Sequence, residues 1–262
     1  MNIITKLNLS APIIFVNPYF NQDCGLINAV TKLGGIGVLD LATADCSSFM
    51  SNVMAPFAVR VHPDDNFLSE MADQIKLAII PFEGWNKMLS FPEGTFSNFP
   101  FPVLVEVGSA EQGIKAEKLG AQGLIVRGNE GSGWVSPIHG FVLLQRVLEI
   151  TTLPVFLQGG VGPCTASGAI KAGASGIVLD HHLLLTKESA IHGDFKNFLA
   201  NLSLSASTTL NEISGHPFRV YSRIGTRKVR ELKKLEQSIT EEQFPDYYTT
   251  ILKSIGFPTA LP

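Results

Sequence analysis

The amino-acid sequence predicts an α/β fold in which eight strand–helix units close into a (β/α)8 barrel. The chain has 262 residues, and a barrel of this kind takes about 250. Short apolar runs rich in β-branched residues recur at intervals of about 20 to 25 residues, with helical patterns between them. The runs are apolar throughout, which indicates parallel strands buried on both faces. An open, doubly wound parallel sheet is the alternative arrangement of the same units.

Eight apolar runs predict the strands of the barrel. Each is bounded by glycine, proline or a charged residue, which are residues that commonly end strands. The runs are PIIFV (12–16), IGVLD (36–40), FAVRV (57–61), KLAII (76–80), PVLVEV (102–107), GLIVR (123–127), PVFLQ (154–158) and GIVLD (176–180).

Amphipathic stretches between the runs predict helices. They cover residues 25–33, 46–54, 63–74, 110–119, 138–150 and 165–172. The connection after the fourth run, residues 83–101, is rich in aromatic residues and proline. We therefore expect its helix to be short or absent.

The last part of the chain predicts a short C-terminal helical extension. It contains a helical pattern at 187–206, a strand-like FRVYS at 218–222 and a basic amphipathic pattern at 226–239. We expect a TIM barrel domain over residues 1–215 and an extension or linker over residues 216–262. The apolar, proline-containing end FPTALP leads us to expect that the natural chain continues into further domains.

The composition argues against nucleic acid and membranes as binding partners. The formal net charge is −3 and the pI is about 6.1, which gives no electrostatic footprint for nucleic acid or an anionic membrane. The three cysteines are widely spaced and form no CxxC pattern, so neither a zinc site nor a disulfide framework is expected. No apolar stretch reaches the ~20 residues of a membrane helix. We therefore expect a cytoplasmic protein.

Two predicted strand ends carry residues suited to chemistry, because such barrels often bind phosphate after strands seven and eight. Gly159 and Gly160 open a GGVG turn that either brings backbone N–H groups to a phosphate or is only a tight turn. After the eighth run come Asp180, His181 and His182. The carboxylate of Asp180 would repel a phosphate, whereas His181 suits proton transfer near neutral pH. Without a third ligand in the pattern, we expect no metal.

The loop RGNEGSGWVSP, residues 127–137, follows the sixth run and opens onto the same mouth. Its glycines would let a flat ligand approach, with Asn129 and Glu130 as polar contacts and Trp134 as a cover. The alternative is a flexible loop whose tryptophan only plugs the barrel. Other polar residues at strand ends are expected to form loop hydrogen bonds: Asn17, Asp40, Arg60, His62, Glu106 and Arg127.

Four segments together resemble the nitronate monooxygenase (2-nitropropane dioxygenase) family and its close relatives, the FMN-dependent enoyl-acyl-carrier-protein reductases. GNEGSGW and PVFLQGGVGPCTASGAIKAGASGIVL form the specific central block. APIIF…NAVTKLGGIGVL is similar to the family's opening strand, helix and turn, and TTLNEISGHPFRVYS to its late Thr…GRPxR stretch. The resemblance covers roughly residues 10–225.

The resemblance implies a TIM barrel that binds FMN at its mouth, with the flavin phosphate on glycines after strands seven and eight. Carried over residue by residue, it implies Gly128, Gly133, Gly159 and Gly160 as cofactor-binding residues. It supports Glu130 on the same loop. If the chain is an FMN-dependent oxidoreductase, we expect Asn129, Glu130 and His181 to be the catalytic residues that face the substrate, with NADPH as a reductant.

The sequence departs from the family at three ligand-contacting positions. The family's loop usually reads GxEAGGH, and its histidine corresponds to Trp134, which cannot exchange a proton. The family's Gly-Thr after strand eight corresponds to Asp180 and His181. A QAPM-like stretch is replaced by FVNP, residues 15–18, and extra helices of longer members are missing. Scaffold glycines retained beside changed contacts predict a degenerate flavin site.

Three functions remain open from the sequence. The first is an FMN-dependent enoyl reductase or nitronate monooxygenase-like oxidoreductase acting on acyl thioesters in polyketide or fatty-acid biosynthesis. The second is a non-catalytic docking or acyl-binding module of a polyketide synthase-like assembly, which would contact a carrier protein or neighbouring synthase domains. The third is new hydrolytic or acid–base chemistry at Asp180, His181 and His182.

Overall fold

The computed structural model describes residues 3–17, 23–41, 52–54, 57–62, 67–82, 88–203, 206–212, 217–222 and 227–240. Eight parallel strands close into a barrel. Each strand pairs with the next barrel strand along the chain, and the last strand pairs with the first. This closure confirms the predicted (β/α)8 barrel and excludes the open sheet.

The eight barrel strands match the eight apolar runs to within one residue at each end. They are β1 (Ile13–Val16), β2 (Ile36–Asp40), β3 (Phe57–Arg60), β4 (Ile75–Ile80), β5 (Val103–Val107), β6 (Gly123–Arg127), β8 (Val155–Gln158) and β9 (Gly176–Leu179). A two-residue strand, β7 (Gly133–Trp134), interrupts the numbering because it lies outside the barrel.

The helices are α1 (Ile3–Lys6), α2 (Cys24–Lys32), α3 (Phe67–Glu70), α4 (Ala110–Lys118), α5 (Gly140–Leu148), α6 (Pro163–Lys171), α7 (Gly193–Ala200) and α8 (Arg227–Glu236). The helix predicted at 46–54 lies mostly outside the described residues. In the described part of the helix predicted at 63–74, the structure has α3 and a 3-10 turn at Ala72–Gln74. Among the described helices, none is long and apolar enough to cross a membrane.

A small antiparallel sheet covers one side of the mouth and was not predicted as a unit. It joins β10 (Ser207–Leu210), β11 (Phe218–Tyr221) and β7 in that order. The FRVYS strand is therefore confirmed, whereas β7 and β10 are too short or too polar to be recognised from their pattern. Of the described residues in the helical stretch predicted at 187–206, those of α7 form an α-helix.

The barrel interior has an apolar floor and a polar top. Alternate residues of each strand point inward, and the lower inward positions form one apolar cluster with two residues of the N-terminal segment. Its members include Ile14, Val38, Ala58, Leu77, Ile79, Leu104, Ile125, Phe156 and Val178, with Ile3 and Leu7 below them. Near the carboxyl ends of β2, β3, β5, β6 and β8, two residues after these apolar positions, the inward side chain is polar and buried. These side chains are Asp40, Arg60, Glu106, Arg127 and Gln158.

Candidate functional site

The polar top of the barrel is a network of ion pairs. Glu106 accepts two hydrogen bonds from Arg60, from Nε to Oε1 at 2.9 Å and from Nη2 to Oε2 at 3.0 Å. Arg60 Nη1 lies 3.2 Å from Asp40 Oδ2, and Arg127 Nη1 donates to Glu106 Oε2 at 2.9 Å. All four side chains are at most 2% exposed. Two guanidinium groups thus neutralise two carboxylates inside the barrel.

Glu106 is the centre of this network. Its Oε2 also accepts the backbone N–H of Phe82 at 2.9 Å. Burial alone would raise the pKa of Glu106, but the charges of Arg60 and Arg127 and the hydrogen bonds to the carboxylate outweigh burial and lower the pKa to about 2. Glu106 is therefore ionised at neutral pH, and both arginines are held in fixed positions across the mouth.

Asp180 lies beside this network, directly after β9. Its Oδ1 accepts the backbone N–H of His181 at 2.6 Å, and Gln158 Nε2 lies 3.4 Å from its Oδ2. Burial opposes ionisation of Asp180, but the hydrogen bonds and charge of His181 and the charge of Arg127 hold its pKa well below its usual range. A third carboxylate is therefore present at the mouth.

His181 and Ser132 form the rim above Asp180. His181 Nδ1 lies 3.4 Å from Asp180 Oδ1 and 3.2 Å from Ser132 Oγ, and the His181 side chain is 32% exposed. The backbone carbonyl of Ser132 accepts a hydrogen bond from Arg127 Nη2 at 2.6 Å. The loop after β6 is thus tied to the ion network, which brings Ser132 to the histidine.

A cavity of about 10 Å³ lies among these groups. Gln158 is 2% exposed, and within the described residues no group donates a hydrogen bond to its Oε1. The residues that line the cavity are Val16, Asn17, Asp40, Arg60, Arg127, Ser132, Gln158, Asp180 and His181. A space of this size with several polar partners is suited to one water molecule.

Glu130 caps a helix and covers the glycine turn. Its Oε2 accepts the backbone N–H of Gly140 at 3.0 Å, at the first turn of α5, and its Oε1 lies 3.1 Å from His139 Nδ1. A Cβ placed on Gly160 would lie 3.4 Å from Cβ and Cγ of Glu130. The carboxylate of Glu130 therefore borders the turn that the resemblance assigns to the flavin phosphate.

The Gly159–Gly160 turn is closely packed. Both residues have left-handed backbone angles, with φ of 100° and 63°, and a Cβ on Gly159 would lie only 3.0 Å from the backbone nitrogen of Gly131. Thr165 Oγ1 accepts the N–H of Gly162 at 2.6 Å and lies 2.9 Å from the carbonyl of Gly160. The glycines are thus required by the turn itself, whether or not it binds a phosphate.

Trp134 is part of the core. It is 5% exposed and its ring meets that of Phe218 edge-on, with centroids 4.6 Å apart. Its neighbour Gly133 pairs with Arg219 in the small sheet, and Arg219 Nε donates to the backbone carbonyl of Asn129 at 2.6 Å. The position that carries the family histidine therefore holds a buried aromatic residue, and the loop is fixed by backbone contacts to β11.

The structure brings the sequence-predicted residues together in two groups. Gly128, Glu130, Gly159 and Gly160 contact one another around the glycine turn. His181 instead lies with Asp180, Ser132 and Gln158. The sequence did not single out Ser132 or Gln158. The ion network residues were expected to make loop hydrogen bonds, although alternation of inward positions along β2, β3, β5 and β6 could have placed them inside the barrel.

The comparisons with known proteins identify the family. The nitronate monooxygenase family model matches residues 90–249. This chain belongs to that family. It is 26% identical over 211 residues to (3aS,4S,5R,7aS)-5-hydroxy-7a-methyl-1-oxo-octahydro-1H-indene-4-carboxyl-CoA dehydrogenase of Rhodococcus jostii, and 24% identical over 229 residues to the enzyme of that name of Mycobacterium tuberculosis. The matches cover 74% and 82% of this chain but 58% and 64% of those relatives.

Solved structures share the fold. FabK from Thermotoga maritima superposes with a TM-score of 0.75 at 19% identity, over 96% of this chain and 82% of FabK. A nitroalkane oxidase from Streptomyces ansochromogenes has a TM-score of 0.64 at 20% identity, over 84% and 79% of the two chains. The enoyl reductase domain of MlnA from Bacillus amyloliquefaciens has a TM-score of 0.65 at 12% identity, over 96% and 77%. These likenesses concern the fold alone.

The described residues do not fit FMN. The ionised Asp180 follows β9 in place of the family's Gly-Thr, so a position implied for the phosphate carries negative charge. Nor do the described residues contain three histidine, cysteine or acidic side chains grouped as metal ligands.

Proposed function

We propose that this chain is a nitronate monooxygenase-family barrel of polyketide or fatty-acid biosynthesis that handles acyl thioesters without FMN. In this view it is an acyl-binding module that meets a carrier protein or neighbouring synthase domains. The scaffold of the family is retained, while the redox chemistry that FMN and NADPH would supply is lost.

The observation that carries the proposal is the carboxylate of Asp180 at the phosphate position implied after β9. Asp180 is fixed by the backbone of His181, so it does not move aside without losing a hydrogen bond. Bringing a phosphate dianion to a mostly buried, ionised carboxylate is unfavourable by Coulomb's law. Trp134 removes the proton-transfer group of the family loop as well.

The substrate class is supported by the named relatives. Two of them act, by their names, on an indene carboxyl-CoA thioester, and a third is the enoyl reductase domain of MlnA from the macrolactin biosynthesis cluster. A barrel that descends from such enzymes and keeps its scaffold is suited to retain affinity for acyl thioesters. Function still depends on the site rather than on the fold.

The experiment is an equilibrium titration of the purified chain with FMN, followed by flavin fluorescence. We expect no saturable binding by the wild type. The matched variant carries Asp180→Gly and His181→Thr, which restore the Gly-Thr of the family, and it should gain affinity for FMN. Saturable, stoichiometric binding by the wild type would favour the FMN-dependent oxidoreductase instead.

A further inference from the structure

We propose that Asp180 and His181 form a general-base pair that activates a water molecule for hydrolysis of an acyl thioester at the barrel mouth. The substrate class rests on the proposed function above. The base itself rests on contacts within the chain, and it uses residues for which the flavin-binding resemblance has no counterpart.

The contacts of His181 determine which ring nitrogen carries the proton. Asp180 is ionised and its Oδ1 can only accept, and it lies 3.4 Å from His181 Nδ1. A lone pair on Nδ1 would face this oxygen unfavourably, so the stable neutral tautomer has its proton on Nδ1. Ser132 Oγ, at 3.2 Å, is then a second acceptor for that proton. Nε2 is left with the lone pair, and the ring is partly exposed to substrate.

Asp180 is the positioning residue of the pair. Three contacts restrict its carboxylate: the His181 backbone N–H at 2.6 Å, Gln158 Nε2 at 3.4 Å and the ring at 3.4 Å. A carboxylate held in this way fixes the orientation of an imidazole and stabilises the imidazolium that forms when it takes a proton. In this proposal His181 is the catalytic residue, because its ring takes the proton from the water, and Asp180 acts through the ring.

The cavity beside the pair supplies the place for the water. Its volume of about 10 Å³ suits one water molecule, and Gln158 Oε1 is a buried acceptor to which no described group donates. A water molecule that donates to this oxygen is oriented with a lone pair available for attack. His181 lines the same cavity, and in this proposal its Nε2 accepts the second proton of the water.

The step balances without an oxidant or a metal. The water oxygen attacks the thioester carbonyl carbon while His181 Nε2 takes one water proton. The tetrahedral intermediate then collapses, the carbon–sulfur bond breaks, and the proton on Nε2 passes to the departing sulfur. The products are a carboxylic acid and a thiol, and His181 returns to its starting tautomer.

Ser132 is not the nucleophile in this scheme. An acyl-serine route needs the serine O–H to donate to the unprotonated ring nitrogen, but the nitrogen near Ser132 Oγ is Nδ1, which carries a proton here. Ser132 instead helps to hold the ring, so Ser132→Ala should reduce the rate only modestly and no acyl-enzyme should form.

The test measures release of free thiol from hexanoyl-N-acetylcysteamine by the purified wild type with a chromogenic disulfide. We expect turnover above buffer, and a loss of about 10²–10⁴-fold in His181→Ala, the range for loss of a general base. His192→Ala is the matched control, since this exposed histidine lies outside the cavity and should leave the rate unchanged. Circular dichroism of each variant excludes unfolding as the cause.

Asp180→Asn distinguishes a positioning role of Asp180 in catalysis from a purely structural role. It should lower kcat with little change in KM, because the variant loses the carboxylate that orients the ring but keeps the surface that binds substrate. The other charged groups around the cavity, Arg127, Arg60 and Asp40, are unchanged in this variant. Glu106 remains paired behind them.

The outcomes separate this proposal from the proposed function. Wild-type hydrolysis no faster than buffer, equal rates for wild type and His181→Ala, or an acylated Ser132 found by mass spectrometry would each overturn the general-base assignment. None of these would restore flavin binding. Stoichiometric FMN in the wild type would overturn the proposed function, whatever the hydrolysis rate.

Discussion

Replacing Glu106 with glutamine should destabilise the chain by about 3–5 kcal/mol, the range for breaking a buried ion network by removing one partner. The variant keeps the volume of the side chain but loses its charge. Arg60 would then keep its ion pair with Asp40, whereas Arg127 would lose its ion pair with Glu106, inside a barrel where all four side chains are at most 2% exposed.

The pKa of Glu106 leads to a similar magnitude. Its ordinary value is 4.5 and its value in the folded chain is about 2, a difference of 4.5 − 2 = 2.5. At 1.36 kcal/mol for each pH unit, the difference corresponds to about 3 kcal/mol. Because the pKa is lowered by folding, this stabilisation is fully present above pH 4.5 and is lost as the pH falls from 4.5 towards 2.

Urea unfolding at pH 7 and at several lower pH values measures the destabilisation by Glu106→Gln and the loss of stability in acid. We expect the wild type to lose stability over that acidic interval and Glu106→Gln to lack this component of the loss. Glu93→Gln is the control, because Glu93 is exposed and lies outside the ion network. An unfolding free energy of Glu106→Gln within about 1 kcal/mol of the wild type at pH 7 would refute the reasoning.

The remaining predictions concern the loops of the mouth. Trp134→Ala should cost about 3–5 kcal/mol, because the ring is buried against Phe218; calorimetry measures it, and a loss below about 1 kcal/mol would contradict burial. Glu130→Ala should cost about 0.5–2 kcal/mol through the lost cap of α5, and an unchanged urea midpoint would oppose that role. Gly159→Ala should cost at least about 1–3 kcal/mol, since its φ is 100°, whereas Gly193→Ala, with open space around it, should be near neutral in the same assay.

The fold could be predicted because the signals for it are local and repeated. Each barrel strand is buried on both faces and therefore reads as an apolar run, such as PVLVEV at 102–107, whatever its partners are. The pairing of β7 with β11 could not be predicted in this way. Gly133 and Trp134 are too few to show a period, and their partners Phe218 and Arg219 lie about 85 residues away.

The candidate site was predicted in part. The strand-end rule led to Asp180 and His181, and the structure shows that the two are in contact. The sequence left open whether Trp134 covers a ligand or fills the barrel mouth. The exposure of Trp134 depends on its contact with Phe218, which is distant in the sequence. The contact between Ser132 and His181 joins residues 49 apart in sequence. The tautomer of His181 depends on which oxygen atoms face Nδ1, and the sequence does not give that arrangement.

The most direct test of the central claim is the visible absorbance spectrum of the purified wild-type chain after incubation with excess FMN and desalting. With Asp180 at the phosphate position implied after β9, we predict a spectrum without the flavin bands. Flavin bands that survive desalting in a one-to-one ratio to protein would contradict the account, because they would mean that the site accepts the phosphate despite Asp180.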